Sequence, residues 1–282
     1  MATTTIGTPA DGRARLAGRA TTVATWLIGL AFFFPVLWMV LTAFKQEVDA
    51  YTDTPKLLFT PTLDQFKGVF GAGFWPYVGN SAFATVMSTL LVLLLAVPAA
   101  YALSIRPVPK TQDVLFFFIS TKMLPVVAVI VPLYVISQRL NMLDNIWMMV
   151  ILYTAMNLPI AVWMLRSFML EVPGEVLEAA EVDGAGMRQT FRHVLLPMLA
   201  PGIAATALIC VIFAWNEFFF AVNLTAARAG TVPVFLVGFI TSEGLYWAQL
   251  SAAATMAALP VVLAGWAAQK QLVRGLSMGA IK

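Results

Sequence analysis

Metal and redox chemistry have little to work with in this sequence, which holds one cysteine, Cys210, and one histidine, His193. A single cysteine forms no internal disulfide and no thiolate cluster. One histidine leaves neither a His-x-His pair nor a His-Glu-x-x-His helix, and a Ser-His-Asp relay is unlikely for the same reason. Charge is scarce too: Asp, Glu, Lys and Arg make up 11% of the 282 residues, against about 25% in a typical soluble chain. The net charge of +3 is small, and no basic patch suits a nucleic-acid backbone. A Gly-x-x-x-x-Gly-Lys-Ser/Thr phosphate loop is missing, so any ATP chemistry belongs to a partner.

Apolar residues take the place of charge. They make up 60% of the chain and fall in long uncharged blocks, whereas water-facing elements show alternating or helical spacing. About 20 mainly apolar residues cross a bilayer, and six such spans are expected. They lie between Arg19 and Lys45, from about Asn80 to Ile105, from Asp113 to Arg139 with Lys122 inside, and from Asp144 to Arg166. The last two run from about Met198 to Leu224 and from about Leu250 to Ala268. Gly71, Gly73, Pro76 and Gly79 are read as breaking up the approach to the second. A signal peptide is the alternative for the first block, but its length and its exit through Ala43-Phe44-Lys45 favour a retained helix.

The fold class is therefore an all-α integral membrane protein with six transmembrane helices, in the inner membrane. Eleven of the 17 Lys and Arg residues fall on one side of these spans, which places both termini in the cytoplasm. The expected division is a cytoplasmic segment 1–20, a first transmembrane helix 21–44 and a periplasmic segment 45–79. A transmembrane domain 80–269 with a cytoplasmic loop at 166–197 follows, then a cytoplasmic tail 270–282.

That loop is the one place where polar residues are organised, holding five of the chain's 14 acids. Pro173 and Gly174 suit a helix start, Glu175 and Glu178 favour its N-terminal half, and Asp183-Gly184 gives a stop. The expected product is a helix of about two turns with Glu175, Glu178 and Glu181 on one stripe. Adjacent alanines, Ala179 and Ala180, allow close approach of another surface. A second short helix, about Met187 to Leu195, would carry Arg188 and Arg192.

The spacing Glu178-Ala179-Ala180, three residues, Gly184, nine residues, Val194, one residue, Leu196-Pro197 resembles the EAA loop of ABC importer permeases. The single departure is Val194 in place of isoleucine. Trp215-Asn216-Glu217-Phe218, Ala257-Ala258-Leu259-Pro260 and the tail Leu272 to Leu276 extend the resemblance over nearly the whole chain. They point to the carbohydrate-uptake branch, similar to the smaller membrane subunit of the maltose importer. Ser120 to Pro125 looks most like polyol-handling members.

The resemblance implies a type I importer permease fold and no catalytic residues. It also implies a second homologous permease, two cytoplasmic ATPases that hold ATP and magnesium, and a periplasmic or lipid-anchored substrate-binding protein. By it, Glu178 pairs with a basic group on the ATPase, Ala179 and Ala180 permit close packing, and Gly184 permits the turn. Val194, Leu196 and Pro197 complete the motif.

Lys122 and Glu217 are the ionisable groups expected inside the bilayer, where such groups are costly. Lys122, about 12 Å into its span at about 1.5 Å per residue, either snorkels to the headgroups or faces a translocation path. Glu217 either joins Asn216 on that path or makes a helix-packing hydrogen bond. Asn157 and Trp215 are further path candidates, with Tyr153 and Trp163 beside them. Outside the membrane, Glu243, Gly244, Tyr246 and Trp247 would contact a binding protein, or form an interfacial aromatic belt. His193 is read as a surface group and Cys210 as apolar filler. An ion- or proton-coupled secondary transporter using Lys122 and Glu217 is the alternative function.

Overall fold

The computed structural model describes residues 10–52, 54–105, 108–241 and 244–278, with backbone alone for 10–16, Leu245 and 270–278. In chain order the helices are α1 (Ala10–Ala43), α2 (Glu47–Ala50), α3 (Asp64–Gly71), α4 (Phe74–Ser104), α5 (Thr111–Met123), α6 (Val126–Arg139) and α7 (Ile146–Leu170). They continue as α8 (Gly174–Val182), α9 (Met187–Gln189), a π-helical stretch (Thr190–Leu195), α10 (Leu196–Trp215), α11 (Phe219–Leu224), α12 (Val232–Val237) and α13 (Trp247–Met278). A small antiparallel hairpin, β1 (Ile240–Thr241) and β2 (Gly244–Leu245), pairs Ile240 with Leu245 and Thr241 with Gly244. Among the described residues, those of 1–68 with 246–255 form one compact unit, and those of 69–245 with 256–282 form another.

Among the described residues five stretches are long and apolar enough to cross a membrane: Ala17–Ala43, Phe74–Ser104, Ile146–Leu170, Met187–Trp215 and Trp247–Gln269. The expected third span is a broken pair, α5 and α6, bent by 90°. Pro125 explains the break. A residue before proline is pushed out of the helical region, and Leu124 is accordingly extended (φ −69°, ψ 126°).

Other boundaries also differ from expectation. The second span begins at Phe74, because Gly73 alone takes the left-handed conformation that stops a helix (φ 81°), while Pro76 and Gly79 are absorbed into α4. The fifth does not run unbroken to Leu224: α10 ends at Trp215 and α11 starts at Phe219.

In the larger unit α4 packs along α7, with α10 against both. The buried face of α4 is made of small residues, among them Ser81, Ala84, Thr85, Ser88, Ala96 and Ala100, which let helix backbones approach closely in a membrane. Facing them from α7 are Met149, Tyr153, Val162, Leu165 and Met169, all buried. Gly202 on α10 serves the same close approach, since a Cβ there would sit 2.5 Å from the Phe168 ring.

In the smaller unit Glu47 fastens the start of α13. Its Oε1 and Oε2 accept from the amides of Ala248 (3.1 Å) and Gln249 (3.3 Å), two donors that the first turn of a helix leaves open.

A carboxylate organises the loop after α11 in the larger unit. Asp144 Oδ1 accepts from the amides of Ala226 (2.8 Å) and Ala229 (2.9 Å), and Oδ2 from that of Arg228 (3.0 Å). Asn80 adds bonds from its Nδ2 to the carbonyls of Arg228 (2.8 Å) and Gly230 (2.9 Å). Burial pushes the Asp144 carboxyl up, and the amides of Ala229, Ala226, Arg228 and Ala227 outweigh it, so its pKa lies below the ordinary aspartate value. A lowered folded pKa contributes stability that is complete above the unfolded value and lost as pH falls through the folded one. Asp144→Asn should therefore cost about 1–2 kcal/mol at neutral pH. Thermal unfolding should show the gap between variant and parent closing as pH drops below about 4; a pH-independent gap would contradict the assignment.

Candidate functional site

The acidic loop folds into a single rigid piece. Pro173, in extended conformation, leads into α8, and the helix ends in a Schellman arrangement. The amide of Gly184 donates to the Glu181 carbonyl (3.0 Å), and that of Ala185 to the Ala180 carbonyl (2.9 Å). Gly184 sits at φ +77°, a conformation that costs other residues about 1–2 kcal/mol.

Packing divides the helix into two faces. Ala180 is buried at 8% exposure, and Leu177 is half-buried against the cluster built from α4, α7 and α10. Tyr101 of α4 and Phe191 of the π-helical stretch meet edge to face at 5.4 Å in the same cluster. The alanine pair is thus split: Ala180 packs inward and Ala179 stays exposed. Glu175, Glu178 and Glu181 are exposed, as their spacing predicts.

Two apolar side chains of this segment are exposed, Val182 at 87% and Met187 at 66%. The sequence reading passed over both, although each is an apolar residue in an otherwise polar stretch. Beyond Gly186 the chain does not form the expected nine-residue helix. Only Met187–Gln189 is α-helical, and Thr190–Leu195 widens into a π-helix that feeds α10. Pro197 is the second residue of α10, directly after the π-helical stretch. Val194 and Leu196 are half-buried, and Arg188, Arg192 and His193 are exposed.

The membrane-embedded candidates occupy separate environments. Trp215, Asn216 and Glu217 make the break between α10 and α11. Trp215 Nε1 donates to the Ala257 carbonyl of α13 (3.1 Å), and Asn216 Nδ2 to the Ile212 carbonyl (2.8 Å). Glu217, at 9% exposure, spends both oxygens on the first turn of α11: Oε1 accepts from the Phe220 amide (2.8 Å) and Oε2 from that of Ala221 (3.3 Å).

Asn157 is fully buried between α7 and α10, with Nδ2 donating to the Cys210 carbonyl (3.3 Å). Lys122, at the end of α5, has its ammonium 5.9 Å from the Phe213 ring centroid. Among the described residues no ion pair joins it to Glu217. Of the residues expected outside the membrane, Glu243 lies beyond the described residues. Gly244 is in β2 with φ 141°, and Tyr246 and Trp247 are exposed.

The Schellman turn yields a direct test. Gly184→Ala should lose about 1 kcal/mol from the helix end, read as faster amide exchange over 174–185. Gly184→Asn, which tolerates positive φ, should lose less. Equal protection in all three proteins would show that the turn does not hold α8.

Comparison with known proteins agrees with this geometry. The family described as the binding-protein-dependent transport system inner membrane component matches residues 92–277. A probable ABC transporter permease of Sinorhizobium fredii is 37% identical over 257 residues, covering 91% of this chain and 92% of that protein. The diacetylchitobiose uptake permease of Streptomyces coelicolor is 34% identical, covering 93% and 95%. The trehalose/maltose permease of Thermococcus litoralis is 30% identical, covering 91% and 94%. A crystal structure of a bacterial ABC transporter involved in import of the acidic polysaccharide alginate has the same fold. It superposes with a TM-score of 0.73 over 95% of this chain and all of that one, at 22% identity. The chain belongs to the family of binding-protein-dependent inner-membrane transport components and is a multi-pass ABC transporter permease, similar in sequence to carbohydrate-uptake permeases.

Proposed function

We propose that this chain is one of two permease subunits of an ATP-driven importer for a small carbohydrate or polyol, and that α8 is its contact with a cytoplasmic ATPase. The observation that carries the reading is the outward face of α8: exposed Glu175, Glu178 and Val182 on a helix closed by a Schellman turn, with exposed Met187 just after it. Large apolar side chains exposed next to organised charge mark a protein contact. Ala180 and Leu177, packed inward, tie that face to α4, α7 and α10. A push on α8 is delivered to three spans together, which suits rigid-body rocking between inward- and outward-open states.

In this reading α8 and both termini lie in the cytoplasm. ATP and magnesium bind the partner ATPases, and Gly244 to Trp247 face a substrate-binding protein outside. A carbohydrate substrate is supported by relatives named for diacetylchitobiose, trehalose and maltose. Exposed Asn216, at the α10–α11 break, is the side chain of that motif left open to a passing hydroxyl, while the Glu217 carboxylate holds the break in shape. An ion-coupled carrier would gain support from a Lys122–Glu217 pair, and the described residues do not make one.

Glu178→Arg and Val182→Asp should each leave the chain inserted while lowering recovery of the ATPase subunit with the purified permease by at least about tenfold, a loss of about 1.4 kcal/mol. Unchanged recovery and transport in both would overturn the role of α8. Uptake of labelled disaccharide or mannitol should stop when ATP is depleted with ion gradients intact. Uptake that persists, and then collapses with an ionophore, would favour the secondary carrier.

A further inference from the structure

Within the smaller unit, a cavity of about 810 Å³ opens between the end of α1, the segment after it and the first turns of α13. Three features make it a built site.

The first is a covered lysine that makes no ion pair among the described residues. Lys45 is 2% exposed, and its ammonium lies 4.0 Å from the Trp38 ring centroid and 5.3 Å from that of Phe59. Among the described residues no carboxylate is in ion-pair reach of it, because Asp49 Oδ1 is held by Lys56 Nζ at 2.7 Å. Burial lowers the lysine's pKa and the nearby Asp49 raises it, with burial the larger effect. A second cation would have worsened that cost; an anion would relieve it.

The second is the Thr42 hydroxyl, which lines the cavity, is buried, and has no hydrogen-bond partner. The third is a gradient of polarity. Among the lining residues Pro35 and Met39 lie within the apolar stretch of α1, while Lys45, Asp49 and Lys56 follow it. The apolar stretch of α1 ends at Ala43, so Lys45, two residues on, stands at headgroup level.

We infer that this cavity binds the phosphate headgroup of a membrane phospholipid, with Lys45 and Lys56 on the phosphate and the α1 wall along the glycerol and upper acyl chain. A neutral sugar can pack a C–H face on a ring, but it leaves the Lys45 charge uncompensated and does not need an apolar wall running on from the charged end. An amphiphile with one anionic end matches both. A bound headgroup would bridge the end of α1 to the start of α13, to which Glu47 of α2 is already bonded.

The inference is independent of the transported substrate. Its test uses the intact importer, reconstituted in phosphatidylcholine nanodiscs doped with phosphatidylglycerol and then moved to detergent, with retained lipid counted by native mass spectrometry. Wild type should keep phosphatidylglycerol through the exchange. Lys45→Met and Lys56→Met should each lower retention about fivefold, the weight of one lysine near a phosphate.

Asp49→Asn should raise retention, because it removes the competing carboxylate; a merely structural cavity would not respond with that sign. Retention unchanged in both lysine variants, or lowered in Asp49→Asn, would overturn the proposal. Displacement of the lipid by inorganic phosphate or by a disaccharide would do the same. So would a crosslink from position 45 to the second permease in a complex that keeps no lipid.

Discussion

Inside a bilayer no water is at hand to satisfy a peptide group, so every interruption of a helix must supply its own hydrogen bonds. That constraint is met at one interruption within a span, and similar bonds recur at helix breaks outside the hydrocarbon. At the α10–α11 break, Asn216 returns a donor to the helix it leaves, and Glu217 accepts from the helix about to begin. In the loop after α11 the same task falls to Asp144 and Asn80, which take up five backbone groups between them. Glu47 does it for the start of α13. Three of the chain's 14 carboxylates are thus committed to holding broken backbone together.

The spans were legible because a run of apolar residues long enough to cross hydrocarbon needs no knowledge of its neighbours. What the sequence concealed were the breaks. Pro125 was visible as a residue that frees carbonyls, but a 90° turn depends on Leu124 and Pro125 both staying extended. Pro35, Pro98, Pro132, Pro159, Pro201 and Pro260 stay inside helices in this same chain. Residue type alone does not separate these cases. The sequence leaves Glu217 two readings, a path group or a helix-packing hydrogen bond, and its oxygens accept from the amides of the first turn of α11.

The loop was the most readable segment because its signals are local. A proline-led start, acids in the first half and a glycine requiring positive φ each act within a few residues. Tertiary packing decides the rest. Adjacent alanines look equivalent in sequence, yet a 100° step around the helix buries Ala180 and exposes Ala179. Val182 and Met187 became evident only once the helix had a surface to be measured against.

The widened coil at Thr190–Leu195 alters how α10 should be read. A π-helical turn holds an extra residue compared with an α-helical one, so the chain enters α10 offset by about 100° from an unbroken count starting at Arg188. A helical wheel drawn straight through from the loop therefore assigns each α10 side chain to the wrong flank, and facings inferred that way should be rotated by roughly a quarter-turn before being compared with any lumen.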